Sequence, residues 1–487
     1  MRSTSYSYIG AVIGFLNAGL LMPKLLSTDE IGVIGLIVSI FLVFSQLSSL
    51  GFGHVLNRLF PYFRNPDDNR YQFFTIGMLV SVAGSFFSVV VYFLIRHWFN
   101  DGTANQDLYD TYEYYILPLT IITIFLNYFD NYYRMLFNAT IGVFLKEIIT
   151  KVFISVGILF YYLGFIQFFG FVLIYFAAYS LPTFVLAFGL LYRGEFKLRW
   201  PRKYYIKRLK WAFISLSVFG VIIGFSNVAV SNFDRMMLKS FETLAVIGVY
   251  TTGFNFATLI LMPARSMKRI ASVVLAESWR NRDLPNIATI LEKSSITQFI
   301  SGIYLFLGLW LNVDNIIAML GPNYEGVRLV ILFIGLSNLT EMLSGVSMSV
   351  ISTSKKYVYA AYFMVLLLSL VVISNLIFIP MLGIAGAALA TWISMLIVVV
   401  ARLIFIWSNY KIQPFSVKHI KILLIMGLTY LIVILVPSVS NFIIDVLIKG
   451  TLISIIFIPG IYFSKVSVDI NLKLEQILSI VIKKIRK

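Results

Sequence analysis

The chain of 487 residues has no cysteine at all. Disulfides, thiolate-held metals and a cysteine nucleophile are therefore excluded. Charge is scarce: Asp, Glu, Lys and Arg make up 13% of the chain, against about a quarter in soluble domains. Its three histidines, His54, His97 and His419, are far apart, and no H-E-x-x-H pair occurs. No G-x-x-x-x-G-K-[ST] loop occurs either, which excludes nucleotide hydrolysis by that route. No polar stretch is long enough to form a soluble catalytic domain, and no metal or cofactor site is expected.

What is present is apolar sequence, 59% of the chain, in runs that recur from end to end. Runs near the ~20 residues needed to cross a hydrocarbon core fall at 6–26, 31–56, 71–95, 114–134, 141–163, 170–192, 211–233, 243–264, 294–312, 327–351, 357–379, 384–407, 421–439 and 443–463. The pattern predicts an all-α polytopic membrane protein with about fourteen spanning helices. The opening MRSTSYSYIG lacks a small-residue cleavage site, so the first span is expected to be retained. With both termini placed in the cytoplasm, all of the 39 basic residues except Lys24, Arg96, Arg235, Lys239, Arg328 and Lys449 fall on that side. Acidic residues such as Asp29, Asp101, Asp314 and Glu325 fall on the other side. That bias is the positive-inside rule. It accounts for the net charge of +17 without a nucleic-acid partner.

The organisation expected is a six-helix lobe (1–192), a basic cytoplasmic linker (193–210), a second six-helix lobe (211–407), two added helices (408–464) and a tail (465–487). Ile470, Leu474, Ile477, Leu478, Val481 and Ile485 recur at helical spacing among lysines, which makes the tail an amphipathic helix for an anionic lipid surface. A repeat supports the two lobes. Gly10, Gly14 and Asn17 return in order as Gly220, Gly224 and Asn227, and EIGVIGL around Gly32 is answered by AVIGVY around Gly248. Six helices between the copies keep their orientation, and transporters with parallel repeats hold substrate between the halves. In Asn375–Trp392, Pro380 and Gly383 break the apolar run, and Gly386, Ala387, Ala388 and Ala390 follow. This predicts a tight hairpin with close helix packing.

Four features carry a family resemblance: KLLSTDEIGVIGLIVSIFLVFSQLSSLGFG at 24–53 with Asn57-Arg58 and Phe60-Pro61, FDRMMLKSFETLAVIGVYTTGF at 233–254, the Pro380-to-Thr391 pattern, and the helix plan. Together they resemble bacterial polysaccharide-unit flippases, the O-antigen and exopolysaccharide exporters of the multidrug/oligosaccharidyl-lipid/polysaccharide superfamily. The resemblance implies two lobes around a cavity and alternating access. It implies export of an undecaprenyl-diphosphate-linked oligosaccharide to the outer leaflet of the cytoplasmic (inner) membrane, for lipopolysaccharide or other surface polysaccharide. Membrane lipids, H+ or Na+ as coupling ion, and polysaccharide polymerase machinery are the implied partners. A lipid II flippase and a drug/cation antiporter of the same superfamily are the alternatives, and an enzyme is not expected.

Charged side chains at membrane depth usually face a wet cavity or a partner. Arg58, at the inner end of the second span, and Arg265, Lys268 and Arg269, at the inner end of the eighth, form a candidate head-group site, since guanidinium groups grip diphosphate bidentately. The competing reading is the positive-inside bias alone. Asp130 and Arg134, four apart, are candidates for a cavity or gate, or for a self-neutralised pair. The same holds for Glu147 and Lys151. Asp234 and Arg235 are candidates for an outer gate, or for an interfacial ion cluster. Asn17 and Asn227 line a cavity or bond between helices. Glu341, far in sequence from Arg328 and Lys355, reads as an unpaired carboxylate and the candidate for ion coupling. Asn127 and Asn131 beside Tyr128, Tyr132 and Tyr133 suggest sugar contacts.

Overall fold

The computed structural model describes residues 2–63, 69–99, 106–136, 139–200 and 203–485. Arg202 in the basic linker, Asp101 in the acidic loop, and Arg486 and Lys487 in the tail lie outside the described residues, as do the side chains of the tail from 477 onward. Among the described residues the regular elements are all helical. They form two compact units, Met1–Thr252 with Met364–Ala387, and Gly253–Phe363 with Ala388–Lys487.

In the first unit α1 (Arg2–Phe15) runs through a π-helical stretch, Leu16–Leu21, into α2 (Met22–Leu25). Ser27 then opens α3 (Thr28–Ser48) with a capping box, its hydroxyl accepting from the Glu30 amide while Glu30 reaches back to the Ser27 amide. At Gly51 the chain adopts φ +66° and enters α4 (Phe52–Leu59). A Cβ there would lie 2.1 Å from the Ser217 carbonyl, so conformation and crowding both demand glycine. There follow α5 (Asn69–Phe99), α6 (Gln106–Tyr112), α7 (Ile116–Leu136), α8 (Ala139–Phe144), a π-turn, α9 (Thr150–Tyr162) and α10 (Phe168–Tyr192). After the linker come α11 (Lys203–Val230), α12 (Phe233–Leu238) and α13 (Leu244–Thr258). An aromatic core of Phe52, Phe73, Phe74, Tyr128 and Tyr132 joins α4, α5 and α7.

Gly32 and Gly248, matched in the sequence repeat, meet each other. A Cβ on Gly32 would lie 1.9 Å from the Leu244 carbonyl, and one on Gly248 would lie 1.9 Å from the Thr28 carbonyl. Each glycine thus packs on the residue four before its counterpart, the reciprocity of a local two-fold contact. Small residues here let α3 and α13 approach backbone to backbone.

The second unit contains α14 (Met262–Arg280), α15 (Leu284–Trp310), α16 (Val313–Leu320), α17 (Val327–Leu343) and α18 (Ser347–Thr353). The 53-residue α19 (Val358–Tyr410) starts in this unit, crosses into the first and returns. After it come α20 (Val417–Ile434), α21 (Phe442–Phe463) and α22 (Val468–Ile485). Ile422 and Val433 of α20 and Phe457 and Ile461 of α21 pack on Phe299, Ile303 and Phe306 of α15.

The hairpin expected in Asn375–Trp392 lies within α19. Gly383 is non-helical, with φ 56° and ψ −131°, and a Cβ on Gly386 would lie 1.9 Å from the Phe378 carbonyl. Eight residues of straight helix would rise about 12 Å, so the chain doubles back. Ala387, Ala388 and Ala390 are fully buried. Among the described residues, 10 helices are long and apolar enough to cross a membrane, or 11 if the bent pair α15–α16 is one span. The sequence expectation of about fourteen adds α7, the charged 139–162 stretch and a division of α19 at Gly383.

Candidate functional site

The second unit brings two long-range partners together on one carboxylate. Glu341 Oε1 accepts from Lys268 Nζ of α14 at 2.5 Å, and Glu341 Oε2 accepts from Arg402 Nη2 of α19 at 2.6 Å. Arg402 also donates to the Ser344 hydroxyl at 2.8 Å and is 4% exposed. The sequence reading of Glu341 as unpaired is thereby corrected. Its cations come from elements 73 and 61 residues away, beyond the reach of any local spacing rule. Arg402 was missed, although it is the sole charged residue of the 384–407 run. A lone cation in an apolar span is itself a signal of a buried partner.

Lys268 lies three residues from Arg265 and one from Arg269, so 265, 268 and 269 share a face of α14. Arg265 and Arg269 are exposed and make no ion pair among the described residues. The same unit holds an apolar groove of about 320 Å³ lined by Pro263, Tyr304, Leu305, Phe457, Ile461 and Leu474 among others. Pro263 is at the start of α14, the helix that carries the three cations.

In the first unit Asp130 and Arg134 form the expected i,i+4 pair at 3.1 Å, and Lys146 adds a second cation at 2.8 Å. A Cβ on Gly142 would lie 1.8 Å from Asp130 Oδ1, so the carboxylate occupies the space that glycine leaves. Glu147 and Lys151 pair at 2.6 Å. Asn17 is buried and bonds between helices, donating to the Lys151 carbonyl at 2.8 Å and accepting from Ser155 at 2.8 Å. Asn227 is exposed instead. Arg58 closes α4 as an exposed residue without an ion pair among the described residues.

Asp234 and Arg235 are both buried. The Asp234 carboxylate accepts from Tyr250 Oη and from Asn375 Nδ2, the latter at 2.8 Å. Arg235 donates to Thr251 at 3.1 Å, to Asn232 Oδ1 at 3.3 Å and to Ser39 at 3.4 Å. The interfacial ion cluster considered for these residues is thus replaced by a buried network that ties α12 to α3, α13 and α19. Nearby in sequence but outside the spans, burial pushes the Lys239 ammonium below its ordinary value while Asp110 opposes the shift, and its Nζ lies 5.2 Å from the Tyr109 ring centre.

A separate polar cavity of about 120 Å³ in this unit is lined by Gln46, His54, Ser81, Asn127, Tyr128 and Asn131 among others. It gathers two of the amides singled out as sugar contacts. Tyr132 and Tyr133 instead belong to the aromatic core.

No family model matches the sequence, and no curated protein sequence matches it. Solved structures do. A lipid II flippase, MurJ, in an inward closed conformation superimposes with a TM-score of 0.74 at 15% identity, over 95% of this chain and 99% of that one. An inward-facing multidrug resistance MATE family transporter of the MOP superfamily gives 0.65 at 12% identity, over 82% and 94%. An outward-facing one gives 0.57 at 12% identity, over 84% and 94%. At such identities the likeness is one of fold, and the chain has the multi-pass helical fold that these flippase and transporter structures share.

Proposed function

We propose that this protein is a secondary transporter that moves an undecaprenyl-diphosphate-linked oligosaccharide from the inner to the outer leaflet of the cytoplasmic membrane, for surface polysaccharide synthesis. The observation that carries this reading is α14, which holds Arg265, Lys268 and Arg269 within its first turns and, at Pro263, lines an apolar groove. An amphiphile with an isoprenoid chain and a diphosphate head matches that pair of surfaces. Apolar walls suit the chain, and guanidinium forks suit the phosphates. Arg58, at the end of α4 in the first unit, is a further guanidinium for the diphosphate head. The amide-, hydroxyl- and imidazole-lined cavity between Gln46 and Asn131 suits the sugar.

Glu341 takes a defined part. Two cations against one carboxylate leave the cluster net positive, and an arriving diphosphate competes with Glu341 for Lys268. A coupling ion, H+ or Na+, acts by weakening the hold of Glu341 on these cations. The buried network around Asp234 and Arg235 serves as the outer gate, and Asp130 with Arg134 sits at the inner side. The topology that goes with this is fourteen crossings with both termini cytoplasmic, lobes at 1–192 and 211–407, and two added helices.

A lipid II flippase is the second reading, favoured by the 0.74 superposition on a lipid II flippase. It needs the same carrier chemistry and differs in cargo. A drug/cation antiporter is less well suited, because each carboxylate of the Glu341 and Asp130 clusters is already held by two cations. The test is gene deletion with assay of the leaflet that holds lipid-linked units. Accumulation of oligosaccharide units on the inner leaflet supports the proposal, and accumulation of lipid II supports the second reading. Unchanged leaflet distribution with loss of cationic dye efflux contradicts both.

A further inference from the structure

Near its start α20 carries a buried histidine, His419, which is 6% exposed. Its ring centre lies 6.0 Å from that of Phe299 and 5.9 Å from that of Phe415. Both ring nitrogens are engaged. The Ser416 amide donates to Nδ1 at 3.2 Å, and Nε2 lies 2.9 Å from the Ser295 hydroxyl of α15. Ser295 gives its single proton to the Leu343 carbonyl, so it accepts from His419 Nε2–H. Nδ1 is then the acceptor that the Ser416 amide requires. One neutral tautomer satisfies all three bonds.

Leu343 is the last residue of α17. The chain then breaks at Ser344, Gly345 and Val346 before α18 begins, and all three are buried. A Cβ on Gly345 would lie 2.7 Å from the Ser295 amide nitrogen, so the break sits directly on α15. The Val346 amide donates to Ser294 Oγ at 3.3 Å. A broken membrane helix persists where neighbours satisfy the freed backbone groups. Here Ser294 and Ser295 do so, and His419 fixes Ser295 in turn. The same break meets the cation cluster. Ser344 Oγ accepts from Arg402 at 2.8 Å, and Arg402 bonds Glu341, which also holds Lys268. Contacts therefore run without a gap from His419 through Ser295, Leu343, Ser344 and Arg402 to Glu341, all within the second unit.

We propose that His419 is a positioning residue for the Glu341 cluster. By fixing Ser295 it holds the α17–α18 break in the conformation that presents Ser344 to Arg402. α20 is then a working part of the cluster and not a passive addition to the bundle. The consequence for transport rests on the transport reading, whereas the coupling inside the unit does not.

Contiguity amounts to coupling only where the loss of one residue changes the effect of losing another. The test is therefore a double-mutant cycle on the full-length purified protein, read as the thermal midpoint. His419→Asn keeps an acceptor near the place of Nδ1 for the Ser416 amide but falls short of Ser295, whereas His419→Gln reaches Ser295 with its amide NH2. His419→Asn should lower the midpoint, and His419→Gln should recover most of that loss. In the Arg402→Met background His419→Asn should lower the midpoint clearly less than in wild type. Ser295→Ala with Arg402→Lys makes a milder cycle if the first variants do not fold. In reconstituted vesicles, loss of one ordinary hydrogen bond should raise the KM of His419→Asn for the lipid-linked diphosphate about fivefold at unchanged kcat, with His419→Gln near wild type. Additive losses in the cycle, or a wild-type KM in His419→Asn, would overturn the assignment. A stable His419→Asn beside a destabilised His419→Gln would make His419 a helix cap alone and overturn it too. Wild-type protein that flips no lipid contradicts the transport reading alone, and the cycle then decides this one.

Discussion

Asp130 belongs to the first compact unit and Glu341 to the second. Each carboxylate is held by two cations, yet the two sites are built differently. Asp130 takes Arg134 from its own helix and Lys146 from 16 residues on, and those side chains are 40% and 31% exposed. Glu341 takes Lys268 and Arg402 from two separate helices, and the Arg402 side chain is 5% exposed. One cluster is a local neutralisation of a membrane helix. The other fastens α14, α17 and α19 together, and through Lys268 it shares a helix face with the exposed Arg265 and Arg269. In the proposed reading the first is a static pair and the second a cluster open to competition by an anion.

The largest effect that would break this contrast is at Arg402. Removing one partner of a buried ion cluster costs about 3–5 kcal/mol, so Arg402→Met should markedly lower the thermal midpoint of the purified protein. Arg134→Met removes a half-exposed i,i+4 partner and should cost less than about 1 kcal/mol. Equal losses would erase the distinction. Next, Gly142→Ala pushes a methyl group against Asp130 and should cost about 1–3 kcal/mol, read by the same unfolding measurement. A neutral result would show that Asp130 moves freely. A charge-assisted hydrogen bond contributes about 1.5–3 kcal/mol, so Arg58→Ala should slow transport roughly tenfold or more while Arg58→Lys retains part of the rate. Wild-type rates in both would remove Arg58 from the head-group site. The smallest contrast is between the repeat asparagines. Asn17→Ala loses two interhelical bonds and should destabilise by about 1 kcal/mol, whereas the exposed Asn227→Ala should change the midpoint little.

These contrasts also mark what the sequence made legible. Asp130–Arg134 and Glu147–Lys151 were readable because helical geometry places i and i+4 together. The hairpin at Gly383 was readable because proline, glycine and small residues constrain the backbone itself. The partners of Glu341 were not, because no spacing rule links residues 61 or 73 apart, and the carboxylate looked isolated. Asp234 and Arg235 read equally as an outer gate or an interfacial ion cluster for a similar reason: Asn375 and Ser39, which bond them, are 141 and 196 residues away. The polar cavity was the least legible part, since amides and hydroxyls occur in every helix and nothing local distinguishes Asn127 and Asn131 from packing residues.

The most direct measurement is flipping by the purified protein in reconstituted vesicles, with an undecaprenyl-diphosphate-linked oligosaccharide placed in one leaflet and a membrane-impermeant glycosidase on the other side. The account predicts that the sugar becomes cleavable only in vesicles containing the protein, and that cleavage slows when Arg265 and Arg269 are both replaced by Gln. Cleavage no faster than in empty vesicles, with cationic dye transported by the same preparation, would contradict it.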